Sequence, residues 1–470
     1  MKRLILFSMA LLSVSALMAQ TLGEKQLKEL KDSFVNDGYA KTIHNIVVAN
    51  KGLKGLAYDA SVAQNADDFF KYNTDVKGIT DQKSSGRCWM FTSMNFLRPA
   101  VMKKYNIKSF DFSHNYSFFW DMLEKSNLFL EAVINTASKP FGERAVDNLF
   151  QNPIGDGGVW NLFLNIGDKY GVVPAEIMPE TEHSNNTSQM NALLKEILRK
   201  GGYEIRQLYD KMLYENYSGE MGDFYQRAQK VKMRTLKDVY RVLAICLGEP
   251  PTEFTWKFRD ADGKVQSVKT TPIEFYKGIV PADYNADDYV MIMNDPTREY
   301  YKIYEIDLYR NTYEGVNWKY LNLPNEDIKE AALASIKNGE PMYASCDVGK
   351  QSNTASGVGY LDPGMYNLGQ LFGVDLTMDK KARILTRQSG SSHAMLIVAC
   401  DTDDNDVPTK WKFENSWGPN AGKGGYLIFT DKWFDEYMFR MVINRKYLGK
   451  KALKALGQKP VMLPAWDYMF

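Results

Sequence analysis

The chain has 470 residues, 44% hydrophobic and 24% charged, enough for a large core in one elaborated domain or in two to three smaller ones. Its 58 Lys and Arg against 57 Asp and Glu leave a net charge of +1, so there is no electrostatic case for nucleic acid or an anionic membrane as partner. The four cysteines, Cys88, Cys246, Cys346 and Cys400, are far apart with no C-x-x-C pair, so neither a zinc site nor a disulfide framework is expected.

Residues 1–19 read as a secretory signal: Lys2 and Arg3, an apolar stretch from Leu4 to Leu17, then Ala19 as a small residue for cleavage. The stretch is too short for a comfortable membrane span, so no stable anchor is expected and the mature chain is expected to be periplasmic or extracellular. Residues 20–75 mix short helical and extended patterns and read as a wrapping N-terminal arm. Residues 76–187 read as a helical lobe. Within it Gln82-Lys83-Ser84-Ser85-Gly86-Arg87 turns into a helix predicted from Cys88 to about 105. Ser113 or Asn115 is predicted to cap the next helix. Gly155-Asp156-Gly157-Gly158 then allows close backbone approach; it is either a strip for a peptide substrate or an ordinary connecting loop.

Residues 188–275 read as a helical insert, with apolar spacings of three and four and a hairpin turning at Asp260-Ala261-Asp262-Gly263. Residues 276–460 carry strand patterns at Tyr289–Met293, Pro341–Cys346, His393–Cys400, Thr409–Asn415 and Gly424–Phe429, and a helix over Glu326–Asn338. The tail, 461–470, is aromatic and is not expected to form a regular element from Leu463 onward.

A cysteine at a helix N-terminus is favoured as thiolate by the unpaired N–H groups there. It still needs a base, a group to orient that base, and donors for an oxyanion. His44, His114 and His183 lie in contexts that suit surface or capping roles. His393 opens an apolar strand, and Asn415 follows 22 residues later (415 − 393) at the end of the next, so adjacent strands would bring the two together. Trp417 could shield their hydrogen bond. Gln82 could supply an oxyanion donor together with the Cys88 backbone N–H.

With Cys88, His393, Asn415 and Gln82 in place, the chain resembles the papain-like cysteine peptidases, and within them the bleomycin hydrolase / aminopeptidase C group. The resemblance rests on Ser84–Phe91, Tyr116–Asn127, Asp156–Pro174, Cys346–Lys350, Glu414–Gly418 and Leu463–Asp467. The Cys-to-His separation of 305 residues (393 − 88) exceeds the roughly 130–150 of ordinary papain-like enzymes, as in that group. The resemblance implies an α+β, two-lobed papain-like fold, with a helical lobe and an antiparallel β lobe. It assigns Cys88 as nucleophile, His393 as general base then acid, Asn415 as its orienting residue and Gln82 as oxyanion donor. It puts Gly157, Gly158, Trp417 and Phe470 at the substrate. It further implies peptide substrates, a thioester intermediate, no cofactor or metal, a homohexamer, and a C-terminal tail lying in the cleft.

Two departures stand out. The group is mostly cytosolic, whereas this chain carries an export signal. Only Tyr468-Met469-Phe470 follows the Pro-Ala-Trp-Asp segment, shorter than usual for the group. The expected activity is therefore that of an exported cysteine peptidase acting from the N-terminus. Endopeptidase or dipeptide-releasing action is the alternative if the short tail leaves the cleft open. An inactive peptide-binding scaffold is the alternative of another class.

Overall fold

The computed structural model describes residues 21–64, 67–214, 221–279 and 288–469. The expected signal segment 1–19 and Phe470 lie outside the described residues.

Two compact units divide the chain. One takes in Tyr366–Thr377 and the described residues before Ala60. It consists of short helices, Glu24–Ser33, Gly38–Ala49, Leu53–Leu56 and Leu368–Phe372. Asp37 caps the second by accepting the Ala40 N–H at 2.8 Å, as an N-cap carboxylate should. The Tyr58 and Tyr366 rings meet with centroids 5.5 Å apart.

The other unit holds the remaining described residues and all the site chemistry. Its organising helix, Cys88–Tyr105, buries Trp89, Met90, Met94, Leu97 and Val101, and its polar Thr92, Ser93, Asn95 and Arg98 are buried too because it runs through the core. The helix His114–Asn135 packs nearby in that core, capped by Ser113, whose hydroxyl accepts the Tyr116 N–H at 3.1 Å. The other predicted cap, Asn115, instead donates its amide to the carbonyls of Pro179 and Leu247. The long helices Ser188–Tyr214 and Met221–Leu247 pack on each other and on His114–Asn135. Their Leu194, Leu198, Phe224 and Leu243 join the same core as Trp89. The hairpin Phe254–Arg259 with Val265–Thr270 closes where sequence placed it, its Asp260 carboxylate accepting the N–H groups of Asp262 and Lys264.

The β layer is a mixed sheet, 12-stranded among the described residues. Its centre is antiparallel: Met342–Cys346, His393–Thr402, Pro408–Glu414 and Tyr426–Thr430 in that order. His393 pairs with Cys346, and Leu396 with Glu414. The His393 strand reads as continuously apolar because both of its faces are covered. Ala394 joins the core of the Cys88 helix, and Met395 and Ile397 the opposite core of Trp411 and Trp433. The tail differs from expectation at its start: Val461–Leu463 is a strand, paired parallel with Lys302–Ile306, because the exposed edge there offers backbone partners. The whole is an α+β fold.

Candidate active site

Cys88 is the first residue of its helix, so its own N–H has no intrahelical acceptor. The turn before it is braced by Arg87, fully buried, which donates to Glu180 at 2.8 Å, to the Ser184 carbonyl at 2.6 Å and to the Ser85 hydroxyl at 3.0 Å. Gly86 has no room for a side chain: a Cβ would lie 2.4 Å from an Asp156 carboxylate oxygen, and that carboxylate accepts the Gly86 N–H at 2.7 Å. Cys88 is mostly buried and lies at a cavity wall. Loss of solvent pushes its pKa up, while the backbone N–H groups of Ala394 and Trp89 pull the other way. Ala394 follows His393, so the sulfur sits beside the start of the histidine strand.

The far ends of the chain meet by backbone pairing. Asp81 bridges to Trp417, Gln82 N–H donates to the Ser416 carbonyl at 2.9 Å, and Gly418 N–H to the Thr80 carbonyl at 3.0 Å. The Gln82 side chain is thereby oriented: its carbonyl oxygen accepts the Ser416 hydroxyl at 2.7 Å, and its amide nitrogen donates one hydrogen to the Ser85 carbonyl at 2.5 Å. The second amide hydrogen remains for a ligand in the cavity that Gln82 and Cys88 both line.

The same pairing assigns the histidine tautomer. Asn415 Oδ1 accepts the Ser416 backbone N–H at 2.8 Å, so the amide atom facing that donor is oxygen. That oxygen also lies 2.8 Å from His393 Nε2, which must therefore carry the proton. Nδ1 is left as the basic nitrogen. Trp417 stacks on the imidazole, ring centroids 4.6 Å apart, covering the His393–Asn415 bond. Burial lowers the His393 pKa to about 4, with the Asn415 hydrogen bond opposing. Asn415 itself lies one residue past its strand, which ends at Glu414.

Gln82, Cys88, Gly157, Gly158, His393 and Trp417 line one cavity of about 1410 Å³, with Asn415 buried behind His393. The two glycines differ. A Cβ on Gly157 would meet open space, whereas one on Gly158 would lie 2.6 Å from the Trp89 ring. Gly157 therefore leaves the cavity open, and Gly158 lets the strip pack on the residue next to Cys88. The cavity continues to an apolar region at Leu128, Phe129 and Ile154.

The tail enters the same cavity: Ala465, Tyr468 and Met469 are among its lining residues. Arg298 holds Asp467 at 2.5 Å, Tyr468 shares a short hydrogen bond with Thr297, and Arg440 donates to the Met469 carbonyl at 2.9 Å.

Sequence reading missed Asp156, Ser416 and Arg440, whose roles depend on partners hundreds of residues away or across the fold. It also misplaced His114, expected at the surface or as a cap. His114 is buried and stacked on Phe91, centroids 3.5 Å apart, and burial lowers its pKa to about 3. All four cysteines are free thiols, and among the described residues no cluster of three or more His, Cys, Asp or Glu suits a metal ion.

Comparison with known proteins places this arrangement. A family model described as "Peptidase C1-like family" matches residues 21–470. The chain is similar to bleomycin hydrolase of Homo sapiens, 39% identical over 89% of this chain and 91% of that one. It is similar to aminopeptidase G of Lactobacillus delbrueckii subsp. lactis, 35% identical over 96% of this chain and 99% of that one. The crystal structure of PepW from Lactobacillus rhamnosis HN001 superposes with a TM-score of 0.88 at 34% identity, covering 96% of this chain and 99% of that one.

Proposed function

Since the chain belongs to the Peptidase C1-like family and is a cysteine-type peptidase of papain-like α+β fold, we propose that it is an exported aminopeptidase. In this reading Cys88 is the nucleophile, His393 the general base then acid, Asn415 its orienting residue and Gln82 the oxyanion donor. The observation that carries exopeptidase action is the tail. Ala465, Tyr468 and Met469 form part of the wall of the cavity that Cys88 lines, and the tail is fastened by Arg298, Thr297 and Arg440. In this reading a peptide bound at Cys88 shares the cavity with the tail, which limits how far the peptide extends past its N-terminus. The similar proteins described as aminopeptidases support the same reading.

The proposed chemistry follows from the tautomer. Burial alone disfavours either a lone thiolate or a lone imidazolium here. The proton therefore passes from Cys88 Sγ to His393 Nδ1 as a pair, with the helix N-terminus and Asn415 stabilising the charges. The thiolate attacks the scissile carbonyl. Its oxygen, now negative, is met by the Cys88 N–H and the free Gln82 amide hydrogen. His393 gives its proton to the leaving amine, and a thioester remains on Cys88. His393 then takes a proton from water, which attacks the thioester and releases the carboxylic acid.

Export is supported by Lys2, Arg3, the apolar Leu4–Leu17 stretch and Ala19. A homohexamer with peptide substrates inside is the assembly the resemblance implies. Two fluorogenic peptides that differ only in N-acetylation test the proposal. The free-amine peptide is expected to be cleaved at least roughly ten times faster, the difference one well-placed charged contact makes. Equal rates would refute aminopeptidase selectivity and favour an endopeptidase.

A further inference from the structure

The strip Gly155–Gly158 has its carbonyl groups held by side chains, one of which, Lys125, is itself part of the cavity wall. Lys125 Nζ donates to the Gly155 carbonyl at 3.0 Å and to the Gly157 carbonyl at 2.8 Å. The carbonyl between them, on Asp156, accepts the Trp89 indole N–H at 2.8 Å. Three successive carbonyls are thus fixed by side chains of two different helices. The third donor of the Lys125 ammonium goes to Asp121 at 2.6 Å, so all three of its N–H bonds are used.

An i,i+4 Asp–Lys pair on a helix is commonly a solvated surface feature of small effect. This one is not on the surface. The Asp121 side chain is fully buried and that of Lys125 is 12% exposed. The ammonium also lies 5.3 Å from the centre of the Trp89 ring, beside Cys88. Asp121 continues the network, accepting the Asn311 amide at 2.9 Å, and Asn311 also donates to the Leu162 carbonyl at 2.9 Å. Asn311 follows Asp307–Arg310, which form another wall of the cavity. A glycine-rich strip left to itself samples many conformations, and ordering it at each binding event weakens binding.

We propose that Lys125 is a positioning residue for substrate, holding the Gly155 and Gly157 carbonyls so that the strip meets a peptide already ordered. This rests on reading the strip as the peptide cradle beside Cys88. All three Lys125 donors go to Asp121 and the strip, so its removal is expected to act on binding and leave the chemistry alone.

The test is steady-state kinetics of Lys125→Met on a free-amine fluorogenic peptide, with the alkylation rate of Cys88 by iodoacetamide measured alongside. KM is expected to rise roughly ten-fold with kcat within about two-fold, and alkylation is expected to stay at the wild-type rate. An unchanged KM, or kcat and alkylation falling together with binding, overturns the proposal. The single variant strands the Asp121 charge, so the double variant Asp121→Asn, Lys125→Met is measured too. It is expected to keep the raised KM while recovering thermal stability. A KM restored to the wild-type value would show that only the stranded charge mattered. Wild-type turnover of the same peptide is the reference: its absence refutes the aminopeptidase proposal, whereas turnover with an unshifted KM in the variants refutes only the role of Lys125.

Discussion

His114 and His393 are both buried imidazoles held neutral, but they serve different ends. His393 faces a cavity and has an amide to orient it; His114 stacks on Phe91 inside the helical core. Both pay in acid. The folded protein refuses a proton on His114 until about pH 3, and on His393 until about pH 4, whereas the unfolded chain accepts one at about 6.5. Above 6.5 neither state is charged and there is no effect. As pH falls below 6.5 the unfolded state gains protons, so stability drops, by roughly 2 kcal/mol per histidine between pH 6.5 and about 5. His114→Phe keeps the stack and removes one of the two sites. Its melting temperature is expected to fall less than that of the wild type between those pH values; equal falls would contradict the buried, neutral assignment. The sequence around His114 offered no warning, because a histidine after a capping serine looks like a helix start at the surface. Cys88, His393, Asn415 and Gln82 were legible only as a set, because together they fill the nucleophile, base, orienting and oxyanion roles of one thiol acyl-transfer site. Asp156 and Lys125 stand out in the sequence only as members of longer motifs, since their partners, Gly86 with Thr187 and the strip carbonyls, come from elsewhere in the chain.

Elements with strong local periodicity were readable nearly to the residue. The Cys88–Tyr105 helix, the Phe254–Thr270 hairpin and the Tyr289–Met293 strand needed no tertiary information. The helix expected at Glu326–Asn338 runs Asn325–Lys337, a shift of one residue, with Pro324 before its first turn and no side-chain cap there. The tail was harder. Its strand Val461–Leu463 exists only because the Lys302–Ile306 edge is there to pair with. Beyond it, Asp467 anchors the tail twice, accepting from Arg298 at 2.5 Å and from the Met469 N–H at 3.1 Å. Both side chains of the Arg298–Asp467 pair are largely buried, and breaking such a pair is strongly destabilising locally, by about 3 kcal/mol. Asp467→Ala is therefore expected to loosen the tail and shrink the preference for free-amine over N-acetylated peptide by roughly ten-fold. A preference as large as in the wild type would show that Asp467 does not set how substrates enter.

At the scale of the whole molecule, function depends on contacts that no local pattern encodes. Thr80–Gln82 pair with Ser416–Gly418, more than three hundred residues away, and that pairing carries Gln82, Asn415 and Trp417 to one place. Arg98, on the Cys88 helix, bonds Glu414 at 2.6 Å just before Asn415, a buried link between helix and sheet. The α+β class and the site constellation could be inferred from motifs and resemblance; the registers that join them could not. The central claim is that one thiol among four, Cys88, is activated by this assembly. Treating the native protein with a thiol-directed epoxide, mapping the adduct by mass spectrometry and following peptidase activity in the same sample tests it most directly. A single adduct on Cys88, forming in step with complete loss of activity, is the expected result. Modification of Cys246, Cys346 or Cys400 instead, or full activity remaining after Cys88 is labelled, would contradict it.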